Sequence, residues 1–196
     1  MNKDILICGV GGQGTVLASK IIAAAALAYG EAVHSAETIG MAQRGGSVTS
    51  HVRIGDRKSS PLIPHGSADL LLAFEPAEAV RNLKYLRKDG AAIVSTRPVR
   101  PVTAGNGTVY DGSRMTAYMD SKCPCIFVDP DMVCAPFGSS KFFNIIMLGI
   151  GAGSGRLGIP KDEMTKTIKE RVPKAYVEAN IKAFEKGYEI GQGSGI

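Results

Sequence analysis

The feature that most constrains this chain is a glycine loop set between an apolar run and a helical pattern. Residues 4–10 (Asp-Ile-Leu-Ile-Cys-Gly-Val) read as a short buried strand ended by glycines. Gly9-Val-Gly-Gly-Gln-Gly14 follows, and residues 15–29 then place Val16, Leu17, Ile21 and Ile22 on one helical side. Ala23 to Ala26 keep that helix slim enough to lie close on a sheet, and Gly30 stops it. Residues 32–37 read as the next strand. A β-turn-α-β unit of this kind opens a doubly wound sheet.

Gly9, Gly11 and Gly14 have the G-x-G-x-x-G spacing. The first glycine turns the chain, the second admits close approach of a ligand, and the third packs helix on strand. The helix start then offers free N–H groups and partial positive charge to a phosphate. Gly9, Gly11, Gly12, Gln13, Gly14 and Thr15 are therefore candidate phosphate contacts, Thr15 through its hydroxyl. The structural alternative is that the glycines only make a tight turn. Glu37 stands where a dinucleotide-binding acid would, but Thr38-Ile-Gly-Met-Ala-Gln-Arg-Gly-Gly46 after it is no ordinary crossover, and too little chain remains for a substrate domain.

That second glycine loop, residues 41–51, is the most distinctive segment. Gly45-Gly46 opens backbone conformations closed to other residues. Arg44 stands ready for an anion or an acidic partner, and Ser47 adds a hydroxyl. Arg44, Gly45, Gly46 and Ser47 join the candidate binding residues; the alternative is a tight turn into an edge strand. Met41 and Ile39 are candidate contacts for a large partner.

Residues 47–54 alternate polar and apolar, as a strand with one buried face. Residues 68–74, 91–95, 108–111 and 125–129 read as further strands. Pro76 opens a helix to about residue 86, stopped by Asp89-Gly90, and Asp129-Pro-Asp131 reads as a turn. From Ser140 the period becomes helical through Phe142, Phe143, Ile146, Met147 and Ile150, terminated at residues 151–155. Pro160 opens another helix, Pro173 breaks it, and residues 174–188 form a last amphipathic one. The predicted fold is α/β, a Rossmann-like, mainly parallel, doubly wound sheet with helices on both faces and a helical C-terminal third. Residues 1–190 read as a single domain and 191–196 as a flexible tail.

Composition narrows the function. A net charge of +5 is modest and dispersed; Arg81, Lys84, Arg87 and Lys88 read as one solvated helix face, so nucleic acid is not an expected partner. No apolar run reaches membrane-spanning length, Met1-Asn-Lys-Asp leads directly into a strand without a signal peptide, and a cytoplasmic location is expected. Cys8, Cys123, Cys125 and Cys134 lack cluster and zinc spacing, so no metal or cluster is expected here. Cys123-Pro-Cys125 is a lone Cys-x-Cys whose redox role is left open. His34, His51 and His65 have no ligand spacing. Glu75 and Glu78 suit a helix start; Glu75 alternatively lines the crevice beyond its strand.

Residues 9–20 (GVGGQGTVLASK) and 42–55 (AQRGGSVTSHVRIG) resemble the gamma subunit or domain of the 2-oxoacid:ferredoxin oxidoreductases, the pyruvate, 2-oxoglutarate and indolepyruvate enzymes. Residues 68–96 (ADLLLAFEPAEAVRNLKYLRKDGAAIVST) and 180–187 (NIKAFEKG) continue the resemblance in the same order. The Met-Ala-Gln-Arg-Gly-Gly wording is most like the small, beta-named indolepyruvate subunits. The resemblance implies oxidative decarboxylation of a 2-oxoacid to an acyl-coenzyme A with reduction of ferredoxin. It places thiamine diphosphate, Mg and [4Fe–4S] clusters on larger partner subunits and leaves coenzyme A as the ligand for this chain's surface. It implies no catalytic residue here and no activity alone; self-association of the isolated chain as a homodimer is a further expectation. The competing readings are a free-standing nucleotide-binding enzyme and a scaffold module with an empty crevice.

Overall fold

A computed structural model describes residues 1–40, 45–55, 60–101 and 109–196. Strand β1 (Lys3–Val10) leads into helix α1 (Thr15–Ala28), followed by β2 (Val33–Ile39) and β3 (Ser47–Ile54). Then come β4 (Ala68–Ala73), α2 (Pro76–Asn82), β5 (Leu86–Ser95), α3 (Gly112–Asp120) and β6 (Cys125–Val128). Four helices close the chain: α4 (Pro130–Cys134), α5 (Phe143–Gly153), α6 (Lys161–Arg171) and α7 (Val177–Gln192).

The six strands lie in the order β2-β3-β1-β4-β5-β6. β1, β4, β5 and β6 are parallel, and β3 alone runs against its neighbours. The α/β, mainly parallel expectation therefore holds, as does the helical last third. One feature departs from a simple doubly wound start. β2 does not lie beside β1; the chain skips one place, and β3 returns antiparallel into the gap, pairing Val10 with Ser47 and Lys3 with Ile54. That hairpin brings Gly46 and Ser47 to the C-terminal end of β1.

The central strands are apolar over residues 5–8, 70–73 and 91–94, where both their faces are covered. Ile5, Ile7, Leu70, Leu72 and Ile93 pack toward α1, α5, α6 and α7. Leu6, Cys8, Leu71, Ala73, Ala92 and Val94 point to the other side, under Ala79 of α2 and Met119 of α3. Each buried Ile, Leu, Val or Met among these contributes about 1.5–3 kcal/mol.

Several local expectations are corrected. β5 begins at Leu86 and passes straight through Asp89-Gly90, which had been read as a helix stop. Gly90 is there because a Cβ would meet the Ala68 carbonyl oxygen at 2.9 Å and the Leu86 side chain. Arg87 and Lys88 therefore sit on a strand and not on a helix face; Arg87 pairs with Asp69 and Asp89, and Arg81 with Glu78. Local acids thus absorb two of the four clustered cations. The strand expected at 108–111 does not form in its described part, 109–111. Asp111 instead caps α3, its carboxylate accepting from Ser113 N at 2.9 Å. Asp129-Pro-Asp131 is likewise a helix start, with the Asp129 carboxylate accepting from Asp131 N at 2.8 Å. Helix α7 continues to Gln192, two residues into the expected tail, and Gly191 is buried.

Candidate functional site

The C-terminal ends of β1, β4 and β5 meet the starts of α1, α4 and α5 around a cleft of about 330 Å³. Gly12, Gln13 and Gly14 form one wall; Ser95, Arg97 and Val99 follow β5; Pro130, Ser140, Lys141 and Asn144 complete it, over a floor of Phe74 and Phe143. The two rings meet edge to face at 5.9 Å. Ligand crevices of open α/β sheets occur at such strand ends.

The first glycine loop is held by its own glutamine. Gln13 Oε1 accepts from Val10 N at 2.8 Å, and Gln13 Nε2 donates to the Phe74 carbonyl at 2.9 Å. Its amide therefore laces β1 to β4. Gly9 leaves room for this, since a Cβ there would meet Gln13 Oε1 at 2.7 Å and the Thr15 methyl at 2.8 Å. Gly12 and Gly14 take positive φ, 98° and 81°. Gly14 also lies against Asn144 and occupies the cap position of α1 with no side-chain cap on the helix. Thr15 is buried. The free N–H end of a 14-residue helix with no acid in its first turn therefore faces the cleft.

The second glycine loop is fastened to the first. Gly11 N donates to the Gly46 carbonyl at 2.9 Å, and Gly45 has φ 74°. Ser47 spends its hydroxyl on Glu78, at 2.7 Å. Gly46 and Ser47 thus latch the loop beside β1, while Gly12, Gln13 and Gly14 border the cleft. Arg44 and Met41 lie outside the described residues. Ile39 is exposed at the end of β2.

Beneath this latch lie two buried carboxylates. Glu75 caps α2 by accepting from Glu78 N at 2.8 Å, and also accepts from Tyr110 Oη at 2.8 Å and Val99 N at 3.2 Å. It is a structural clamp that ties the segment after β5 to the start of α2. Burial, and then the hydrogen bond to Glu75, push the Tyr110 phenol well up. Burial, aided by Glu78 and Glu75, likewise raises the Cys8 thiol. His51 is a structural acceptor, its Nδ1 receiving Ile63 N at 3.1 Å; burial, with Arg53 nearby, lowers its basicity. Glu37 accepts from Ser19 of α1 at 3.0 Å, and β3 separates its strand from β1. It is not placed as a ribose acid beside the glycine loop, which removes the main support for a dinucleotide site.

Arg97, Lys141, Ser95 and Asn144 were not anticipated from sequence. Arg97 pairs with Asp131 and Lys141 is exposed. Two cations, a helix start, glycine backbone and small polar side chains around an aromatic floor suit a phosphate-bearing ligand. Among the described residues, no three His, Cys, Asp or Glu side chains are grouped to hold a metal ion, and no single helix is long and apolar enough to cross a membrane.

Comparison with known proteins follows the same lines. Residues 4–190 match the model of the pyruvate ferredoxin/flavodoxin oxidoreductase family. The chain is 39% identical over 191 residues to an indolepyruvate oxidoreductase subunit, IorB, of Archaeoglobus fulgidus, covering 96% of this chain and 94% of that one. It is 30% identical over 194 residues to the 2-oxoglutarate synthase subunit KorC of Methanocaldococcus jannaschii, covering 98% and 95%. The keto/oxoacid ferredoxin oxidoreductase gamma subunit of Geobacter sulfurreducens superposes with a TM-score of 0.72 at 26% identity, over 97% and 98% of the two chains.

Proposed function

Since the chain belongs to the pyruvate ferredoxin/flavodoxin oxidoreductase family, we propose that it is the cluster-free small subunit of an indolepyruvate-type 2-oxoacid:ferredoxin oxidoreductase, working in the cytoplasm with a larger subunit. The observation that carries the subunit reading is near end-to-end similarity to proteins that are themselves named subunits. The arylpyruvate preference rests on the higher identity to the indolepyruvate subunit, 39% against 30%.

Within the complex, the cleft receives the phosphate end of coenzyme A. Gly12 and Gly14 offer backbone, α1 offers its N-terminal dipole, and Arg97 and Lys141 supply charge. When bound, coenzyme A supplies the thiol that accepts the acyl group; the part of this chain is to hold and orient the carrier. The donor set suits phosphate oxygens, because the charged side chains lining the cleft, Arg97 and Lys141, are both cations and stand beside glycine backbone. Gly46 and Ser47, latched to the loop, keep its backbone in place. Thiamine diphosphate, Mg and the clusters belong to the partner. This chain has no Cys-x-x-Cys-x-x-Cys run and, among its described residues, no metal-ligand group.

The substrate part is tested on the complex purified without oxygen, by viologen reduction with indolepyruvate, phenylpyruvate, pyruvate and 2-oxoglutarate. The arylpyruvates should give kcat/KM at least about tenfold above the other two, a difference of ~1.4 kcal/mol in transition-state binding. A preference for pyruvate or 2-oxoglutarate would refute the assignment.

A further inference from the structure

Away from the cleft, at the start of β6, two thiols stand side by side. Cys123 and Cys125 flank Pro124 in the short connection from α3, with their sulfurs 3.6 Å apart. Both are half-buried, whereas Cys8 and Cys134 are buried. The backbone around the pair is fixed: Cys123 N donates to Met119 O at 3.2 Å, the Pro124 carbonyl accepts from Ala92 N at 2.9 Å, and Cys125 enters the ladder opposite Ala92. The thiols are therefore presented together by a helix end and a strand start, on the outermost strand of the sheet. The cleft lies at the other end of β6, next to Pro130, so the pair has no part in the site described above.

We propose that Cys123 and Cys125 form a thiol–disulfide exchange site that reduces low-molecular-weight disulfides and closes an intrachain disulfide between the two residues. The pair is asymmetric. The sulfur–sulfur hydrogen bond can be donated by either thiol; donated by Cys125, it favours the Cys123 thiolate and lowers its pKa, against burial and Asp120. The same bond, followed by burial, keeps Cys125 protonated. Cys123 is thus the attacking sulfur. Its thiolate attacks one sulfur of R–S–S–R, breaking that bond; the departing thiolate takes up a proton, and Cys123 is left in a mixed disulfide. With Cys123 no longer an anion, the interaction that held the Cys125 proton is gone. Cys125 then loses its proton and attacks the Cys123 sulfur, expelling the second thiolate. The dithiol gives up two electrons and two protons, and the small disulfide leaves as two thiols.

The test uses the reduced full chain with 2-hydroxyethyl disulfide under anoxic conditions, quenched in acid and read by intact mass. The wild-type chain should become about 2 Da lighter and carry no lasting adduct, as loss of two hydrogens requires. Trypsin then releases residues 123–141, which hold Cys123, Cys125 and Cys134. After denaturing alkylation of the oxidised chain, only Cys134 should carry a label within that peptide, and Cys8 should be labelled elsewhere. Cys125→Ser, which keeps a hydroxyl donor beside Cys123, should instead accumulate a stable adduct on Cys123. Cys123→Ser should react at least about tenfold more slowly. A lasting adduct on the wild type, a disulfide that includes Cys134, or a Cys125→Ser chain that stays unmodified would each overturn the proposal.

Discussion

Replacing Gly149 by alanine will destabilise this chain by about 2 kcal/mol, although helix propensity alone would favour the change by ~1 kcal/mol. The opposing signs make the experiment decisive. Helices α5 and α7 touch backbone to backbone through two interleaved glycine pairs, Gly149 with Gly153 and Gly187 with Gly191. A Cβ on Gly149 would overlap the Phe184 carbonyl, and one on Gly187 would overlap that of Ile146. On Gly153 and Gly191 it would strike the carbonyls of Tyr188 and Ile150. These obstacles are main-chain atoms of another helix, so no rotamer change can relieve them; the helices must part. Parting them would loosen fully buried Ile146, Ala183 and Phe184. Gly149→Val should cost more, about 3 kcal/mol, a large share of a typical domain's 5–15 kcal/mol. Gly193→Ala serves as the control, since a Cβ there meets nothing nearer than 3.8 Å. Urea unfolding of the three variants reads the order directly. A neutral or stabilised Gly149→Ala would mean that the two helices are not in backbone contact.

Charge removal in the cleft should have the second large effect. Lys141→Ala and Arg97→Ala are each expected to raise the KM for coenzyme A of the assembled enzyme by about 10–100-fold, the equivalent of one charge-assisted hydrogen bond of ~1.5–3 kcal/mol. Both side chains are well exposed, Arg97 at 41%, so folding should be almost unchanged. Coenzyme A-independent steps, such as reduction of the clusters by the 2-oxoacid, should keep their rate. A KM that stays at the wild-type value in the double variant would remove coenzyme A from this cleft without touching the subunit assignment.

Much of the fold was legible where one local signal dominated. The continuous apolar run before Gly9 and the helical stripe after Thr15 could be read because a strand, a turn and a helix have different periods. The alternation of Val48, Val52 and Ile54 marked β3 in the same way. Elements failed where one residue type serves two ends. Glycine stops helices, but Gly90 lies within a strand so that the Ala68 carbonyl can approach. The end of α5 at Gly153 falls within the glycine-rich stretch 151–155 where it was expected, but the packing of Gly149 and Gly153 on α7 was not read. The four-residue spacing of Gly149 with Gly153 and of Gly187 with Gly191 was present in the sequence and would have signalled that contact. Helix α3 escaped because Met119 is its one fully buried apolar side chain.

The site was half legible for a related reason. The glycine loop is continuous in sequence, so its candidate residues were found together. Arg97 follows β5 and Lys141 precedes α5, and only the strand order brings them to Gly12 and Gly14. Gln13 and Ser47 were candidates as polar residues in glycine loops. Their hydrogen bonds to Val10, Phe74 and Glu78 instead build the loops' framework. The insertion of β3 between β1 and β2 could not be read from any single segment, and it decides against Glu37 as a ribose acid.

The central claim is that this chain works as a subunit, and it is tested most directly by purifying the tagged full chain from its native host without oxygen and measuring what comes with it. The account predicts a larger partner in fixed stoichiometry, with iron, acid-labile sulfide and thiamine diphosphate in the eluate and 2-oxoacid-dependent dye reduction that needs coenzyme A. A single colourless chain, without iron or thiamine under gentle conditions, would contradict it.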